Sequence, residues 1–414
     1  MAQLDSPKGA AISGLNVLRP LRRRNFALLM AGRSTSEMGR TIRVFARGWL
    51  VLELTGSPFL LGLVTSSLMW PMLFMPFFGG VLADRIDRRK LLLLTEFSLT
   101  ALWLSISVVI TLGLIEWWHL MISSLLSGII QSFGRPAHQA ILGNLVDKEE
   151  LPSAVAINAF TQYWPAAVGL LLATLLIGTI GVGGVFWITA FAQLFTGVTL
   201  VLLRWKGEMA EEGRKSVRRN FIEGFTHVRG EPLILGLVLI AAASSLFGGA
   251  YSFLLPFFAR DILGVGAQGL GVMMLASNIG VSVGAAVVTM ASNIPRRGLL
   301  LMGAAICYSL LILSFSRSEI FFLSIGLLFG VGLCGTASRT MMTMIMQILA
   351  PDHLRGRVMS LQVSIMGLSS IGILVMGAVG QYLGAVNTVF IGGSLYGLVA
   401  LVIFARMHQL RRFR

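Results

Sequence analysis

Five charged residues recur every three or four positions near the start of the chain: Arg33, Glu37, Arg40, Arg43 and Arg47. On an α-helix this spacing places them within about a third of the circumference. Arginine side chains bind anions, and a carboxylate held among them can take up and release a proton. We call these five residues the charged stripe, and its chemistry predicts part of a pathway for an anion or a proton.

The sequence around the charged stripe is long enough to cross a bilayer, which makes these charges energetically expensive. A charge at the centre of a spanning helix costs about 2.5–3.5 kcal/mol. Every window of about 20 residues between 26 and 54 contains at least three of the five. The stripe must therefore face a water-filled cavity, polar groups on other helices, or both. Two interpretations follow: the stripe lines a translocation path, or Glu37 pairs with Arg33 and Arg40 at helical spacing and the stripe only packs this span into the bundle.

Two acidic residues are candidates for coupling to a proton gradient. Glu37 lies within the charged stripe, and Glu96 lies about two turns from the cytoplasmic end of a later apolar segment, where its side chain can extend to the interface. The histidines are scattered, and no pair has the spacing of metal ligands on a helix. The sequence therefore predicts no metal site, no cofactor and no catalytic residues, which argues against an enzyme.

The composition indicates a chain that crosses the membrane many times. Of its 414 residues 55% are hydrophobic and only 12% are charged, whereas soluble domains contain about 25% charged residues. Apolar runs of about 20 residues alternate with short polar loops. The twelve predicted spans cover residues 26–52, 60–82, 91–113, 117–142, 153–178, 182–203, 233–257, 268–290, 298–316, 319–345, 356–380 and 386–407.

The lysines and arginines predict the orientation of these spans. Outside the first span, Arg260 and Arg317 alone fall in loops on one side, and all the others fall on the opposite side. Because such residues collect in cytoplasmic loops, we predict a protein of the cell inner membrane with both termini in the cytoplasm. This distribution accounts for the net charge of +15 without a surface for nucleic acid. The polar N-terminal segment lacks the pattern of a cleavable signal peptide.

Two short matches indicate an internal duplication. Residues 61–64 resemble residues 270–273, and residues 149–155 resemble residues 352–358, both at an offset of about half the chain. We therefore predict an all-α membrane protein of twelve transmembrane helices in two pseudo-symmetric six-helix halves. Its predicted parts are a cytoplasmic segment (1–25), a six-helix bundle (26–203), a cytoplasmic central loop (204–232), a second six-helix bundle (233–407) and a basic cytoplasmic tail (408–414).

The loop between spans 2 and 3 contains the most specific string of the sequence. Residues 80–90 read Gly-Val-Leu-Ala-Asp-Arg-Ile-Asp-Arg-Arg-Lys. The carboxylate of Asp84 can pair with the arginines or with the positive end of a helix, although a solvated basic turn is an alternative. The string resembles the signature of the major facilitator superfamily, Gly-x-Leu-Ala-Asp-Arg-x-Gly-Arg-Arg, and differs at Asp87, where the signature has its second glycine.

This variant resembles the branch of the superfamily that contains enterobactin exporters and macrolide efflux proteins. Residues 49–57, 135–158 and 351–358 resemble that branch too, so the likeness extends over about residues 25–405. The resemblance implies the major facilitator fold and a secondary transporter. It also implies a cytoplasmic latch between this loop and the start of span 11, which would involve Asp84, Arg85, Arg88, Arg89, Arg355 and Arg357.

The predicted function is efflux of amphipathic, drug-like or siderophore-like molecules by alternating access in the lipid bilayer, carried out by a monomer. The surplus of arginines favours an anionic substrate. The chain contains no P-loop string, so we predict an ion gradient, with the proton as the coupling ion. Trp164-Pro165 and Val168-Gly169 stand where exporters often have Gly-Pro and Gly-Gly, which weakens the case for export. The alternatives are an importer or lysophospholipid flippase of the same fold, and a non-transporting receptor or scaffold, which would carry a soluble domain or long tail.

Overall fold

The computed structural model describes residues 18–71, 87–142, 145–147, 150–203, 231–290, 296–407 and 410. These residues form helices and short connections, and no strand occurs among them. The prediction of an all-α protein is therefore confirmed.

The helices of the N-terminal half follow a 3₁₀ turn at Arg19–Arg22. They are α1 (Arg24–Thr55), α2 (Pro58–Ser67), α3 (Arg88–Thr111), α4 (Trp117–Leu142) and a long helix, Leu151–Leu202. Gly181 interrupts the long helix with a φ of 67°, and we name its two parts α5 (151–180) and α6 (182–202). Glycine adopts this left-handed backbone without strain, so a single residue replaces the predicted loop between spans 5 and 6.

The C-terminal half repeats this arrangement. It contains α7 (Pro232–Ile262), α8 (Gly266–Met290), α9 (Arg297–Ser316), α10 (Phe321–Leu349) and a second long helix, Asp352–Arg406. Gly384 interrupts the long helix with a φ of 77°, which gives α11 (352–383) and α12 (385–406). Two segments of α7, Ser244–Gly248 and Phe258–Ile262, are π-helical.

Seven of the described helices are long and apolar enough to cross a membrane, and both long helices with a glycine break are among them. Neither α1, which carries the charged stripe, nor α4 is among the seven. Every predicted span overlaps a described helix, although span 2 does so mainly through Pro58–Ser67. The multi-pass, all-helical architecture is therefore confirmed, and the count of twelve crossings stays a prediction.

Glycines allow α8 and α10 to approach each other closely. A Cβ atom on Gly280 would lie 2.0 Å from the carbonyl oxygen of Phe329, and one on Gly284 would lie 2.4 Å from that of Leu333. Small residues at such positions are the usual basis of tight helix pairs in membranes. The packing of the C-terminal half therefore depends on these two positions remaining glycine.

We expect Gly280→Ala to destabilise the protein by about 1–3 kcal/mol, because the added methyl group overlaps a backbone oxygen and both helices must shift. Gly303→Ala in α9 is the matched control, since a Cβ atom there meets nothing within 4 Å and alanine is the better helix former. Thermal unfolding of the purified variants measures the difference. Equal unfolding temperatures would contradict the close approach.

Contacts between the two halves lie near one end of the helices. A Cβ atom on Gly62 in α2 would lie 3.2 Å from the Cα atom of Gly377 in α11. Ser57, just before α2, donates a hydrogen bond from Oγ to Gln381 Oε1 at 2.7 Å. These residues lie at the end predicted to face away from the cytoplasm. Most of the central loop falls outside the described residues, so the domain boundaries stay predictions.

Candidate functional site

The structure divides the charged stripe by exposure. Arg43 and Arg47 are 7% and 6% exposed, whereas the side chains of Glu37 and Arg40 are 21% and 43% exposed. Arg33, one turn before Glu37, is half-buried. The stripe therefore has a buried part, which contacts other helices, and an accessible part, which a solute can reach.

Glu37 and Arg40 form an ion pair one turn apart on α1. Arg40 Nε donates to Glu37 Oε2 at 2.7 Å, and Thr41 Oγ1 donates to the carbonyl oxygen of Glu37 at 3.1 Å. The pair is too exposed to contribute much to stability, since such ion pairs are worth about 0–1 kcal/mol. The functional interest of the pair therefore lies in its position on α1 and not in its contribution to stability.

The face of α1 that carries this pair points toward the C-terminal half. Gly48 follows Glu37 by about three helical turns and so lies on the same face. A Cβ atom on Gly48 would lie 3.7 Å from Cγ of Pro256 in α7. The face thus touches the other half at Gly48, and it is partly open to solvent at Glu37 and Arg40. Glu37 therefore lies on the side of α1 that faces the C-terminal half.

Arg43 lies inside the N-terminal half, where it joins α1 to α3 and α6. Its guanidinium donates to the carbonyl oxygen of Thr189 and to Gln193 Oε1, both at 3.1 Å. Its Cζ atom lies 4.7 Å from the ring centroid of Trp103, within the range of a cation–π contact. Two hydrogen bonds and a ring thus compensate the burial of this charge.

Glu96 belongs to the same buried cluster. The amide nitrogen of Gln193 donates a hydrogen bond to Glu96 Oε2, and Glu96 is 6% exposed. The side chain therefore does not extend to the membrane interface, which was one expectation from the sequence. Gln193 instead bridges Glu96 and Arg43, so the two charges stabilise each other through one amide.

Arg47 joins α1 to α4. Its guanidinium donates to Ser124 Oγ at 2.6 Å, and Ser124 Oγ donates in turn to the carbonyl oxygen of Leu120 at 2.7 Å. Because Arg43 and Arg47 contact α3, α4 and α6, the buried part of the stripe fixes α1 within its own half. For Arg43 and Arg47, this arrangement agrees with the interpretation in which the stripe packs α1 into the bundle.

A cavity of about 280 Å³ lies between α1 and α5. It is lined by Ser34, Thr35, Met38, Phe160, Thr161, Trp164, Pro165 and Val168. Phe160 and Trp164 are 61% and 60% exposed, and their ring centroids lie 6.1 Å apart. Hydroxyl groups and stacked rings side by side suit an amphipathic molecule with an aromatic part.

The polar partners of the stripe on α6 were not among the predicted site residues. Thr189, Gln193 and Thr196 recur at intervals of three and four on α6, and Thr196 Oγ1 also donates to the carbonyl oxygen of Gly32 in α1 at 3.0 Å. A polar face on an otherwise apolar span is the signal that predicts them. Trp164 was considered only as a departure from a motif, although it lines the cavity.

The predicted latch cannot be located in full. Asp84 and Arg85 lie outside the described residues, and so do the side chains of Arg88, Arg355 and Arg357, whose backbones are helical. Arg89 donates from Nη2 to the carbonyl oxygen of Val201 in α6 at 3.3 Å. The described part of the loop thus contacts α6, and the latch stays a prediction.

Asp87 has a role that the sequence did not predict. Its Oδ1 atom accepts hydrogen bonds from the backbone nitrogens of Arg89 at 2.9 Å and Lys90 at 3.1 Å. These bonds make Asp87 the N-cap of α3, where aspartate also favours the helix dipole. Aspartate in place of the signature glycine therefore stabilises the N-terminus of α3.

We expect Asp87→Ala to reduce the free energy of unfolding by about 0.5–2 kcal/mol, because two backbone donors lose their acceptor. Asp87→Asn keeps a capping oxygen and serves as the control, and Asp87→Gly should cost only a few tenths of a kcal/mol. Thermal unfolding of the three purified variants measures this order. If the Asp87→Ala and Asp87→Asn variants unfold at the same temperature, the N-cap does not contribute to stability.

Two of the basic residues before α1, Arg19 and Arg23, form ion pairs with the connection between α4 and α5. Arg23 forms ion pairs with Asp147 and with Glu150, whose Oε2 atom lies 2.7 Å from Arg23 Nε. Arg19 Nε lies 3.2 Å from Glu150 Oε1. The hydrogen bond with Asp147 raises the pKa of Arg23 above its ordinary value. The 3₁₀ turn is thereby held against the connection between α4 and α5.

Comparison with known sequences identifies the family. The sequence profile of a family described as transmembrane secretion effectors matches residues 15–413. Enterobactin exporter EntS of Citrobacter koseri is 26% identical over 369 residues, which cover 88% of this chain and 84% of that protein. Its counterpart in Shigella boydii is 25% identical over 373 residues, with 88% and 85% covered.

Comparison with solved structures agrees on the fold. The nucleoside transporter NupG superposes with a TM-score of 0.73 at 13% identity, over 92% of this chain and 98% of that one. A bacterial homologue of the human lysosomal transporter Spinster, in an inward-facing and unoccupied conformation, gives 0.66 at 13% identity, over 94% and 98%. The fold is therefore that of the major facilitator transporters, and the chain belongs to the family of transmembrane secretion effectors, multi-pass membrane transporters that are not enzymes.

Proposed function

We propose that this transporter is a monomer of the cell inner membrane that exports amphipathic, aromatic and anionic molecules by alternating access, driven by a proton gradient. Both termini lie in the cytoplasm in this proposal. The observation that carries it is the Glu37–Arg40 pair, which lies in the middle of α1 on the face that points toward the other half. A charged pair at that place is accessible to a solute held between the halves.

Export rather than import rests on the relatives. The curated relatives described above are named exporters, and they match over most of their length. The solved structures are too distant to bear on direction, because 13% identity supports the fold alone. The cavity between α1 and α5, with its hydroxyl groups and stacked rings, supports the amphipathic and aromatic character of the substrate.

The test is a flux assay in proteoliposomes with an imposed pH gradient. A panel of catechol-type anions and neutral aromatic drugs is supplied on the side that corresponds to the cytoplasm. We expect at least one aromatic anion to accumulate on the other side and protons to move in the opposite direction. If no member of the panel moves against its gradient, or if flux ignores the pH gradient, proton-driven export is wrong.

The variant Arg40→Ala tests the role of the accessible pair in substrate binding. Loss of a charge contact inside a protein is worth a few kcal/mol, so we expect the anion to bind at least tenfold more weakly and a neutral substrate to be less affected. Arg40→Lys keeps the charge and is the control. Binding isotherms measure the change, and a similar loss for anion and neutral compound would point to misfolding instead.

A further inference from the structure

Arg339 lies in α10, a helix long and apolar enough to cross the membrane. It is the only charged residue between Phe321 and Leu349, and it is exposed. Ten residues separate it from the end of the helix, which corresponds to about 15 Å. This depth places its guanidinium beside the hydrocarbon region.

The described residues of the C-terminal half form no ion pair with Arg339. The acidic residues of this half lie only at helix ends: Glu231, Asp261, Glu319 and Asp352. Within the described part of the chain, the Arg339 side chain takes part in no ion pair and donates no hydrogen bond. A charge of this kind cannot face lipid without a penalty of several kcal/mol, so it must face water or an anion.

The face of α10 that carries Arg339 packs against a group of tyrosines. Gly335 lies one turn before Arg339, and a Cβ atom on it would lie 2.7 Å from Cε2 of Tyr308 in α9. The Tyr308 ring makes edge-to-face contacts with Tyr396 of α12 at 5.3 Å and with Tyr251 of α7 at 6.5 Å.

The hydroxyl groups of two of these tyrosines, Tyr308 and Tyr251, already have partners. Tyr308 donates to the carbonyl oxygen of Gly248 at 2.7 Å, in the first π-helical segment of α7. The hydroxyl group of Tyr251 lies 3.4 Å from Ser277 Oγ in α8. The rings therefore form a fixed wall that joins α7, α8 and α9. Arg339 lies one turn from the residue that touches this wall, and its side chain has no ion pair or hydrogen bond among the residues that the structure describes.

We propose that Arg339 is the anion-binding residue that the C-terminal half contributes to the substrate site, and that its ligand is an organic anion. The substrate supplies a negative charge for Arg339. The inference rests on the proposed transport function. It adds a binding residue from the C-terminal half to Arg40 of the N-terminal half. An anion between Arg40 on one half and Arg339 on the other links the two halves electrostatically when they close around it.

The experiment compares two ligands that differ only in charge, 2-naphthoate and 2-naphthamide, by equilibrium binding to the full-length protein in nanodiscs. We expect the wild type to bind the naphthoate at least tenfold more tightly than the amide. Arg339→Gln should remove this preference, and Arg339→Lys should keep most of it. Arg406→Gln is the matched control, because it removes an exposed arginine at the end of α12 and should leave the preference unchanged.

Either of two results overturns the inference: a folded Arg339→Gln variant that keeps its tenfold preference, or a wild type that has none.

If Arg339→Gln does not fold, Arg339→Cys in a chain with Cys307→Ser and Cys334→Ser replaces it. A membrane-impermeant sulfonate thiol reagent should modify it, more slowly when 2-naphthoate is present. Absence of modification, or of protection by 2-naphthoate, overturns the inference.

Transport of a neutral compound by the same wild-type preparation separates this inference from the proposed function. If the wild type exports a neutral aromatic drug but shows no preference for the anion, the role of Arg339 is wrong and export stands. If the anion preference depends on Arg339 but nothing is transported, the binding site stands and the export proposal fails.

Discussion

Glu37→Gln is expected to abolish proton-driven flux and to leave counterflow exchange of substrate intact. A glutamine amide cannot take up a proton, but its oxygen can still accept the hydrogen bond that Arg40 Nε now donates to Glu37 at 2.7 Å. Substrate binding and the movement of the two halves should therefore persist, while the link to the proton gradient is lost. Proteoliposome assays with and without a pH gradient measure the two activities separately.

Glu96→Gln is the matched control, since Glu96 is also an acidic residue of a membrane-spanning helix but is buried next to Gln193. We expect this variant to retain coupling. The opposite pattern, in which Glu37→Gln retains proton-driven flux and Glu96→Gln loses it, would transfer the coupling role to the buried cluster. Normal coupling in both variants would exclude both residues.

Arg43→Ala is expected to destabilise the protein by about 3–5 kcal/mol, the range for breaking a buried charge network. The substitution removes two hydrogen bonds and the contact with the Trp103 ring. It also leaves Glu96 buried at 6% exposure with Gln193 but without its nearest positive charge on α1. The unfolding temperature of the purified protein should fall sharply, together with the yield.

Arg40→Ala provides the contrast on the same helix. Its side chain is 43% exposed, so its loss should change stability by less than about 1 kcal/mol. A double variant, Arg43→Ala with Glu96→Gln, should recover part of the stability, because the buried charge that was left behind is then neutral. Equal stability of Arg43→Ala and Arg40→Ala would mean that the buried cluster does not hold α1 in place.

The sequence predicted the helical class, and each predicted span overlaps a described helix. Both depend on apolar runs and basic loops, which are local properties. It also predicted that the charged stripe occupies one face of α1. What it could not predict is that Arg43 and Arg47 are buried while Glu37 and Arg40 are accessible. That division depends on which neighbouring helix supplies a polar group, and this is a tertiary property.

Asp87 and α7 illustrate two further limits. Asp87 was noted as a departure from a motif, but its capping bonds depend on where α3 begins, and helix boundaries are poorly determined by sequence. The π-helical segments of α7 each need one extra residue per turn, which a periodic pattern of 3.6 residues does not reveal. Both features lie where local geometry departs from the regular helix.

The charged stripe also has a consequence for biogenesis. Among the described helices of spanning length, α1 is one of two that are not apolar enough to cross a membrane on their own. The groups that compensate its arginines, Ser124 on α4 and Thr189 and Gln193 on α6, are synthesised later. We therefore expect α1 to be retained in a polar setting until α6 has been synthesised, so that the N-terminal bundle enters the lipid as one assembled unit rather than helix by helix.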